Sequence, residues 1–357
     1  MFPPTVQAGV DLRVEGRGDM SIRRPQLTPR RAIGVAVLVL LVASELTNNG
    51  GFFSRATLST LTPFIGVMAI ASFGQAVVIG SGGIDLSIPA TMTFVGVMVL
   101  KVSQGKNDRL LLAVLVALAL CGVIGLVNGL LVERLRLNPF VATLAVGQIV
   151  SGAARYVRGP VPRFTRVPPL LVQRARWNLG GISLALIVAV VLMLAGTFTF
   201  RSTVWGRRLV ASSASKVASS LVGLSASTYR TVTFVSSSVL AGLAAVLLSG
   251  QLGSPDLSLG APYLLATVVS VVLGGAVLSG GRVDLIGVAL GAVFITVLGH
   301  DLRVQGYSSG FAQLVQALVL GGGFAVVYVI RNRNVLLSRL RGSARPGLPN
   351  VPIPIIK

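Results

Sequence analysis

The residues of this chain best suited to chemistry lie in a short polar break between two apolar runs. Residues 80–87 read GSGGIDLS, and the runs FIGVMAIASFGQAVVI and IPATMTFVGVMVL flank them. An ionised carboxylate costs several kcal/mol in hydrocarbon, so Asp85 must face protein, water or a helix end. Two compatible roles follow. Asp85 caps the start of the next helix near the inner membrane surface by accepting hydrogen bonds from free N–H groups, or the broken backbone lines a polar passage.

A second set of polar side chains carries no charge and lies within or beside apolar runs. Amides and hydroxyls suit a neutral polyhydroxylated solute, although such residues also hold membrane helices together. Their concentration in regions 75–87 and 128–148 favours a passage for an uncharged solute. The residues expected to line or gate this passage are Gln75, Gly82, Gly83, Asp85, Ser87, Asn128, Asn138, Phe140, Thr143 and Gln148.

The composition disfavours catalysis. The chain has one histidine, His300, one cysteine, Cys121, and ten acids scattered along its length. A metal site or acid–base site needs several such groups converging, and the phosphate-loop pattern G-x-x-x-x-G-K-[ST] does not occur. We expect no catalytic residue, no metal and no resident cofactor. A membrane enzyme acting on a lipid-linked substrate stays as an alternative, but it would need paired acids or histidines at one membrane face.

The elements that must position these residues are membrane helices. Of 357 residues, 53% are hydrophobic and 11% charged, whereas a soluble domain carries about a quarter charged residues. A bilayer core needs about 20 apolar residues per helix. The pattern predicts an all-α polytopic membrane protein with about ten transmembrane helices. The ten segments are 32–46, 58–79, 88–102, 110–132, 139–154, 181–200, 231–249, 263–278, 285–298 and 311–330.

The formal net charge of +21 is best explained by the orientation of the chain in the membrane, not by nucleic-acid binding. The basic residues cluster at the termini and between apolar runs, where positive charge marks the cytoplasmic side. Residues 1–31 are expected to form a flexible basic cytoplasmic arm, 32–330 the membrane domain, and 331–357 a basic, proline-rich cytoplasmic tail. The arginine-rich loop 155–176 does not fit the rule that basic loops lie in the cytoplasm, since the count of spans places it outside. Either it is an interfacial segment with snorkelling arginines, or the count is wrong by one.

Two further stretches are unusual. The polar, alanine-rich loop 205–224 is either a connection held at the headgroups by Arg207 and Arg208, or a short helix that docks on a soluble partner. In addition, SGGIDL at 81–86 is echoed by SGGRVDL at 279–285. Repeated halves are common in transporters, and coincidence and common ancestry both remain open for so short a match.

At this point the chain resembles a known family. GQAVVIGSGGIDLSIPA resembles the G-x-x-x-V-I-x-x-G-G-I-D-L-S-V-G pattern of the ribose-type permease subunits of ATP-binding-cassette importers. NGLLVERLRLNPFVATLAVGQIVSGAA is similar to their N-G-x-x-x-x-x-x-x-x-P-x-F-I-x-T-L segment. VVSVVLGGAVLSGGRVDL is similar to their late V-L-G-G-x-S-L-x-G-G-x-G segment. These matches cover roughly residues 30 to 330.

The resemblance implies a type II importer-like fold in the bacterial inner membrane. The basic residues at both ends of the chain already predict that both termini are cytoplasmic. It implies as partners a second permease subunit, identical or not, two cytoplasmic ATPase subunits that hold ATP and Mg, and an extracytoplasmic sugar-binding protein. It also implies a monosaccharide as solute and alternating access as mechanism. A permease for nucleosides or branched-chain amino acids is the near alternative, and a transport-inactive scaffold subunit is a more distant one.

The resemblance further implies that loop 205–224 contains the coupling helix that docks on the ATPase. The asparagine-proline pair of the family pattern G-G-N-P-x-A-A-R-x-x-G-I is Ser215-Lys216 here, and its arginine is Ser220. Pro89 replaces the glycine after GGIDLSV, and His300-Asp301 stands near the place of a late asparagine. The residues expected to couple are Arg207, Arg208, Ser215, Lys216, Ala218, Ser220, Gly223 and Leu224.

Overall fold

The computed structural model describes residues 28–323 except 49, 161–164, 215–218, 220–222, 224, 278–279, 282 and 309. The predicted tail 331–357 and residues 1–27 of the predicted arm lie outside this part of the chain. The arm was expected to reach residue 31, but helix α1 begins at Pro29. A proline fits this position because the first turn of a helix has no use for its missing N–H.

The described residues form a helical bundle with one two-stranded hairpin. The helices are α1 (Pro29–Thr47), α2 (Arg55–Gly80), α3 (Ile88–Ser103), α4 (Leu110–Glu133), α5 (Pro139–Arg158), α6 (Pro169–Ala175), α7 (Leu184–Ser202), α8 (Val204–Ala214), α9 (Ala226–Leu252), α10 (Tyr263–Leu273), α11 (Leu285–Val304) and α12 (Gly310–Gly323). A 3₁₀ turn, Asn107–Arg109, leads into α4. Strands β1 (Asn178–Leu179) and β2 (Ile182–Ser183) pair antiparallel.

Each of the ten predicted segments contains a helix, but the predicted number of spans is not confirmed. Among the described residues, six helices are long and apolar enough to cross a membrane: α2, α4 with its leading turn, α5, α7, α9 and α11. Three apolar helices, α3, α10 and α12, are shorter. Helix α1 has 19 residues but includes Arg30, Arg31 and Glu45. The chain is therefore a multi-pass membrane protein, and its segments differ in how they fit a bilayer.

Segment 263–278 is shorter as a helix than expected, because α10 ends at Leu273. Gly274 and Gly275 follow, and Gly275 has a φ of +90°, which L-residues with side chains resist. At Gly274 a Cβ atom would lie 2.6 Å from the backbone nitrogen of Val288. The paired glycines thus end α10 and allow α11 to approach closely.

Helix α2 is the centre of the bundle. Its residues from Leu61 to Ile79 are almost all buried, and α7, α9, α10 and α11 pack around it. Small residues permit the close approaches: a Cβ on Gly74 of α2 would lie 3.0 Å from the carbonyl oxygen of Ser237 on α9. Such contacts are typical of membrane helices, where packing rather than the hydrophobic effect drives association.

Two ion pairs identify one end of the bundle. Arg30 at the start of α1 lies 3.9 Å from Asp284, which precedes α11. Arg230 near the start of α9 lies 3.1 Å from Glu133 at the end of α4. We call this the N-terminal end, because α1 begins there.

The dissenting arginine-rich loop lies at the opposite end. Arg158 donates a hydrogen bond to the carbonyl oxygen of Pro255 at 2.8 Å, and Arg176 donates one to that of Gln251 at 3.1 Å. Gln251 lies in the last turn of α9, where helix carbonyls lack partners and positive charge is favourable. Pro255 lies in the loop that follows this helix. Arg176 therefore binds the carbonyl end of α9, and Arg158 binds the loop after it.

Candidate functional site

Asp85 lies buried between α2, α3, α4 and α9, and both of its carboxylate oxygens have hydrogen-bond donors. Its Oδ1 accepts from the backbone N–H of Ser87 at 3.0 Å and from the Ser87 hydroxyl at 2.6 Å. Its Oδ2 accepts from the Ser237 hydroxyl at 2.9 Å. The carboxylate is 2% exposed, so these donors replace the water that a carboxylate needs.

The local sequence explains how the backbone brings Asp85 to this place. Gly82 has a φ of +81°, which allows the chain to turn out of α2. Ser87 occupies the N-cap position of α3, and Pro89 lies in the first turn. The Ser87 hydroxyl binds Asp85 instead of capping its own helix. The sequence prediction that Asp85 sits at the start of this helix therefore matches the geometry.

Segment 81–87 folds back into the bundle. Ser237 is the eleventh residue after the start of α9, which places Asp85 about 16 Å along that helix. Likewise, a Cβ on Gly147, eight residues into α5, would lie 3.4 Å from the Cα atom of Ser87. Helix α3 therefore begins inside the bundle, well away from its N-terminal end.

The segment before α10 enters the bundle from the other side. The backbone N–H of Gly260 donates to the Thr93 hydroxyl of α3 at 3.0 Å, and Gly260 packs directly on Pro89. Both short helices thus follow loops that reach the bundle interior. Broken helices that meet inside the membrane are typical of solute-binding regions in transporters.

Helices α4 and α5 hold the folded-back segment in place. Asn128 donates through Nδ2 to the Ser87 hydroxyl oxygen at 2.8 Å. The Thr143 hydroxyl oxygen accepts from the backbone N–H of Leu86 at 3.0 Å and lies 3.2 Å from the carbonyl oxygen of Ile84. Both side chains are fully buried.

Four of the predicted site residues are not part of this cluster. Gln75 is fully buried in α2, and neither of its amide atoms has a hydrogen-bond partner among the described residues. Asn138 caps α5 by accepting from the N–H of Phe140 at 2.9 Å. Phe140 is 52% exposed, and Gln148 is also exposed. The structure thus brings together Gly82, Gly83, Asp85, Ser87, Asn128 and Thr143.

The sequence did not identify two residues of the cluster, Thr233 and Ser237 on α9. The Thr233 hydroxyl lies 3.1 Å from that of Ser81, and Ser237 binds Asp85. The signal in the sequence is a spacing of four residues, which puts both hydroxyls on one helix face. Nothing in the sequence indicates that this face meets residues 152 positions earlier.

The two echoed glycine segments contact each other. Gly281 donates its N–H to the carbonyl oxygen of Gly80 at 2.9 Å. A Cβ on Gly280 would lie 3.0 Å from the nitrogen of Gly82. The acids also match, since Asp284 accepts the N–H of Ile286, two residues ahead, as Asp85 accepts that of Ser87. The two acids therefore share one local hydrogen bond, although Asp284 is the N-cap residue of its helix and Asp85 lies two residues before the N-cap residue Ser87.

The predicted coupling loop lies partly within the described residues. Arg207 and Arg208 on α8 are exposed, and Gly223 is exposed with a φ of +72°. A groove of about 340 Å³ between α8 and α9 is lined by residues that include Trp205, Arg208 and Gly223. Ser215, Lys216, Ala218, Ser220 and Leu224 lie outside the described residues.

Comparison with known proteins identifies the family to which this chain is similar. Residues 57–324 match the family described as branched-chain amino acid transport system / permease component. The ribose import permease protein of Escherichia coli (strain K12) is 30% identical over 290 residues, covering 80% of this chain and 89% of that protein. The fructose import permease protein of Rhizobium meliloti is 27% identical over 297 residues, covering 81% and 82%. No solved structure matches the chain significantly.

Proposed function

Because this chain belongs to the permease-component family of branched-chain amino acid transport systems, we propose that it forms half of the translocation pathway of an ATP-binding-cassette importer for a monosaccharide. The observation that carries the solute class is the similarity, over most of both chains, to permeases named for ribose and fructose. Membership of the family agrees with a transporter subunit rather than an enzyme.

The buried cluster supports an uncharged solute. Both oxygens of Asp85 already accept hydrogen bonds within the cluster, so its lone pairs are directed at the protein rather than at the amino group of a solute. The other clustered side chains, Ser87, Asn128 and Thr143, are hydroxyls and an amide. A branched-chain amino acid carries two charges that need partners when water is removed, whereas a sugar needs hydroxyl and amide partners. This favours a sugar over the amino-acid alternative.

The exposed face of α5 supports a pathway shared with a second permease subunit. Gln148 is exposed in the middle of an apolar span, and Val141 and Ile149 are 61% and 72% exposed. An amide that faces hydrocarbon costs free energy. The second subunit, identical or not, covers this face, so that Gln148, Phe140 and Asn138 line the passage or its gate.

The energy comes from partner subunits. Loop 205–224 docks on a cytoplasmic ATPase subunit, which holds ATP and Mg. ATP-bound partners prefer one state of the pore, and this preference drives alternating access. The exposed Arg207 and Arg208 supply positive charge at the docking surface. Replacing residues 216–223 should uncouple ATP hydrolysis from uptake while the subunit still inserts, and unchanged sugar uptake would remove the docking assignment.

This assignment sets the orientation. The N-terminal end of the bundle, with α8 and the start of α9, faces the cytoplasm of a bacterial inner membrane, together with both termini. The opposite end, with Arg158 and Arg176, faces the extracytoplasmic sugar-binding protein.

The test is purification of the intact complex in mild detergent, followed by identification of the solute held by the co-purifying binding protein. We expect two ATPase subunits and a pentose or hexose. Uptake of that labelled sugar into proteoliposomes should be competed by related sugars and unaffected by leucine or adenosine. Competition by leucine or adenosine would favour the alternative permeases, and a complex without an ATPase would favour a scaffold subunit or a membrane enzyme.

A further inference from the structure

Helix α9 connects the coupling loop directly to the buried Asp85. It begins at Ala226, immediately after its N-cap residue Ser225, and runs without interruption to Leu252. Its 27 residues make a rod about 40 Å long. Tyr229 in its first turns packs against Trp205 of α8, with ring centroids 6.1 Å apart. Helix α9 therefore contacts α8 near its start and continues as one rod past Asp85.

Two hydroxyls of α9 contact the folded-back segment. Thr233 lies 3.1 Å from Ser81, and Ser237 donates to Asp85 Oδ2 at 2.9 Å. All four side chains are at most 2% exposed. Because Thr233 and Ser237 are four residues apart, they lie on one face and move together.

Asp85 also connects α9 to two other helices, α3 and α4. Its second oxygen, Oδ1, binds both the N–H and the hydroxyl of Ser87, the residue immediately before α3. Ser87 in turn accepts a hydrogen bond from Asn128 of α4. One carboxylate thus joins α9 to the start of α3, and through Ser87 to α4.

The geometry makes this link sensitive to small movements. Helix α9 is confined at this depth by Gly74 of α2 and Gly125 of α4, where a Cβ would come within 3.0 Å and 2.5 Å of α9 backbone atoms. A hydrogen bond of 2.9 Å is largely lost after a displacement of about 1 Å. Movement of α9 along its axis therefore either pulls Asp85 and the start of α3 along or breaks the bond.

We propose that Ser237 is a positioning residue, through which α9 sets the position of Asp85 and of the start of α3 when the coupling loop moves. This rests on the proposed function, in which loop 205–224 docks on an ATPase. The Ser237 to Asp85 bond is the contact through which this positioning acts. Ser237 thereby links nucleotide-driven movement to the polar segment between α2 and α3.

The test compares Ser237→Ala with Ser238→Ala in the complete complex, reconstituted in proteoliposomes. Ser238 is a matched control, since it is equally buried on the same helix and its hydroxyl has no hydrogen-bond partner among the described residues. Sugar uptake and ATP hydrolysis are measured on the same sample. For Ser237→Ala we expect uptake per ATP to fall by about fivefold to tenfold, the factor that one net hydrogen bond is worth. For Ser238→Ala we expect an unchanged ratio.

Two results would overturn the proposal. A purely structural role would lower uptake and hydrolysis of Ser237→Ala by the same factor and leave their ratio unchanged. The second result comes from the double variant of Ser237→Ala and Asp85→Asn. If the two residues act independently, the fold losses in uptake per ATP multiply, whereas a shared link makes the combined loss smaller than that product. Failure of the proposed function looks different, because the wild-type complex would then show no ATP-driven sugar uptake at all.

Discussion

Asn128 of α4 donates a hydrogen bond to the hydroxyl oxygen of Ser87 at 2.8 Å, across 41 residues of sequence. Its other amide atom, Oδ1, has no partner among the described residues. The bond fixes the start of α3 to α4, independently of the bond from Ser237 of α9 to Asp85.

Removing this side chain should loosen the buried cluster. For Asn128→Ala we expect a loss of about 1–3 kcal/mol, because Ser87 loses a buried donor and a cavity replaces the amide. The midpoint of thermal unfolding in detergent and the rate of sugar uptake should both fall. Asn178→Ala in the hairpin, where the side chain makes only a 3.4 Å contact with Arg176, should change neither. An unaltered midpoint for Asn128→Ala would contradict the assigned bond.

Close packing of α4 on α9 depends on a glycine that can be tested with a nearby control. A Cβ on Gly125 would lie 2.5 Å from the Cα atom of Val235. A Cβ on Gly122, on the same helix, would have nothing within 4 Å. Gly125→Ala should cost about 1–3 kcal/mol or more through overpacking, and Gly122→Ala should be neutral or slightly stabilising. Thermal unfolding of both purified variants decides this, and equal midpoints would be contrary to the packing described.

The two ion pairs at the N-terminal end should differ strongly in importance. The side chains of Arg230 and Glu133 are 15% and 4% exposed, whereas those of Arg30 and Asp284 are 51% and 32% exposed. Glu133→Gln leaves a mostly buried guanidinium without its countercharge, which costs about 3–5 kcal/mol. Arg30→Gln removes a solvent-screened pair worth about 0–1 kcal/mol. Urea or thermal unfolding measures both, and comparable losses would count against the difference in burial.

Orientation can be read from cysteine labelling without removing the native cysteine, since Cys121 is fully buried and should stay unreactive. In the variant Leu257→Cys, position 257, which is 42% exposed at the opposite end, should react with a membrane-impermeant maleimide in intact spheroplasts. In the variant Arg207→Cys, the exposed position 207 should react only after permeabilisation. The reverse pattern would invert the proposed topology.

The sequence predicted the local features well, because they depend on neighbouring residues. Apolar runs located every described helix that packs around α2, and GSGGIDLS predicted a turn followed by a helix start with an acid beside it. The cap on α5 by Asn138 follows from the same local chemistry.

The features that the sequence did not predict depend on distant partners. Nothing near Ser237 indicates that its hydroxyl meets Asp85. Likewise, nothing near Arg158 or Arg176 indicates that one binds a carbonyl in the loop after α9 and the other a carbonyl in its last turn. The depth of segment 81–87 was also hidden, because a polar break between two spans has the same sequence whether it lies at a membrane surface or folds back. The number of spans stays unconfirmed for a related reason, since three apolar helices are short.

The contact between Gly280 and Gly82 constrains how this chain can evolve. A Cβ atom on Gly280 would lie 3.0 Å from the backbone nitrogen of Gly82, and a Cβ atom on Gly80 would lie 3.0 Å from the side chain of Val283. Both positions therefore resist a larger residue. The acids that follow the two glycine segments differ in solvent exposure. Asp85 is buried, whereas Asp284 is partly exposed and pairs with Arg30. Substitutions should therefore be rare at Gly82 and Gly280 in natural relatives. They should be more frequent at the accessible Asp284 than at the enclosed Asp85.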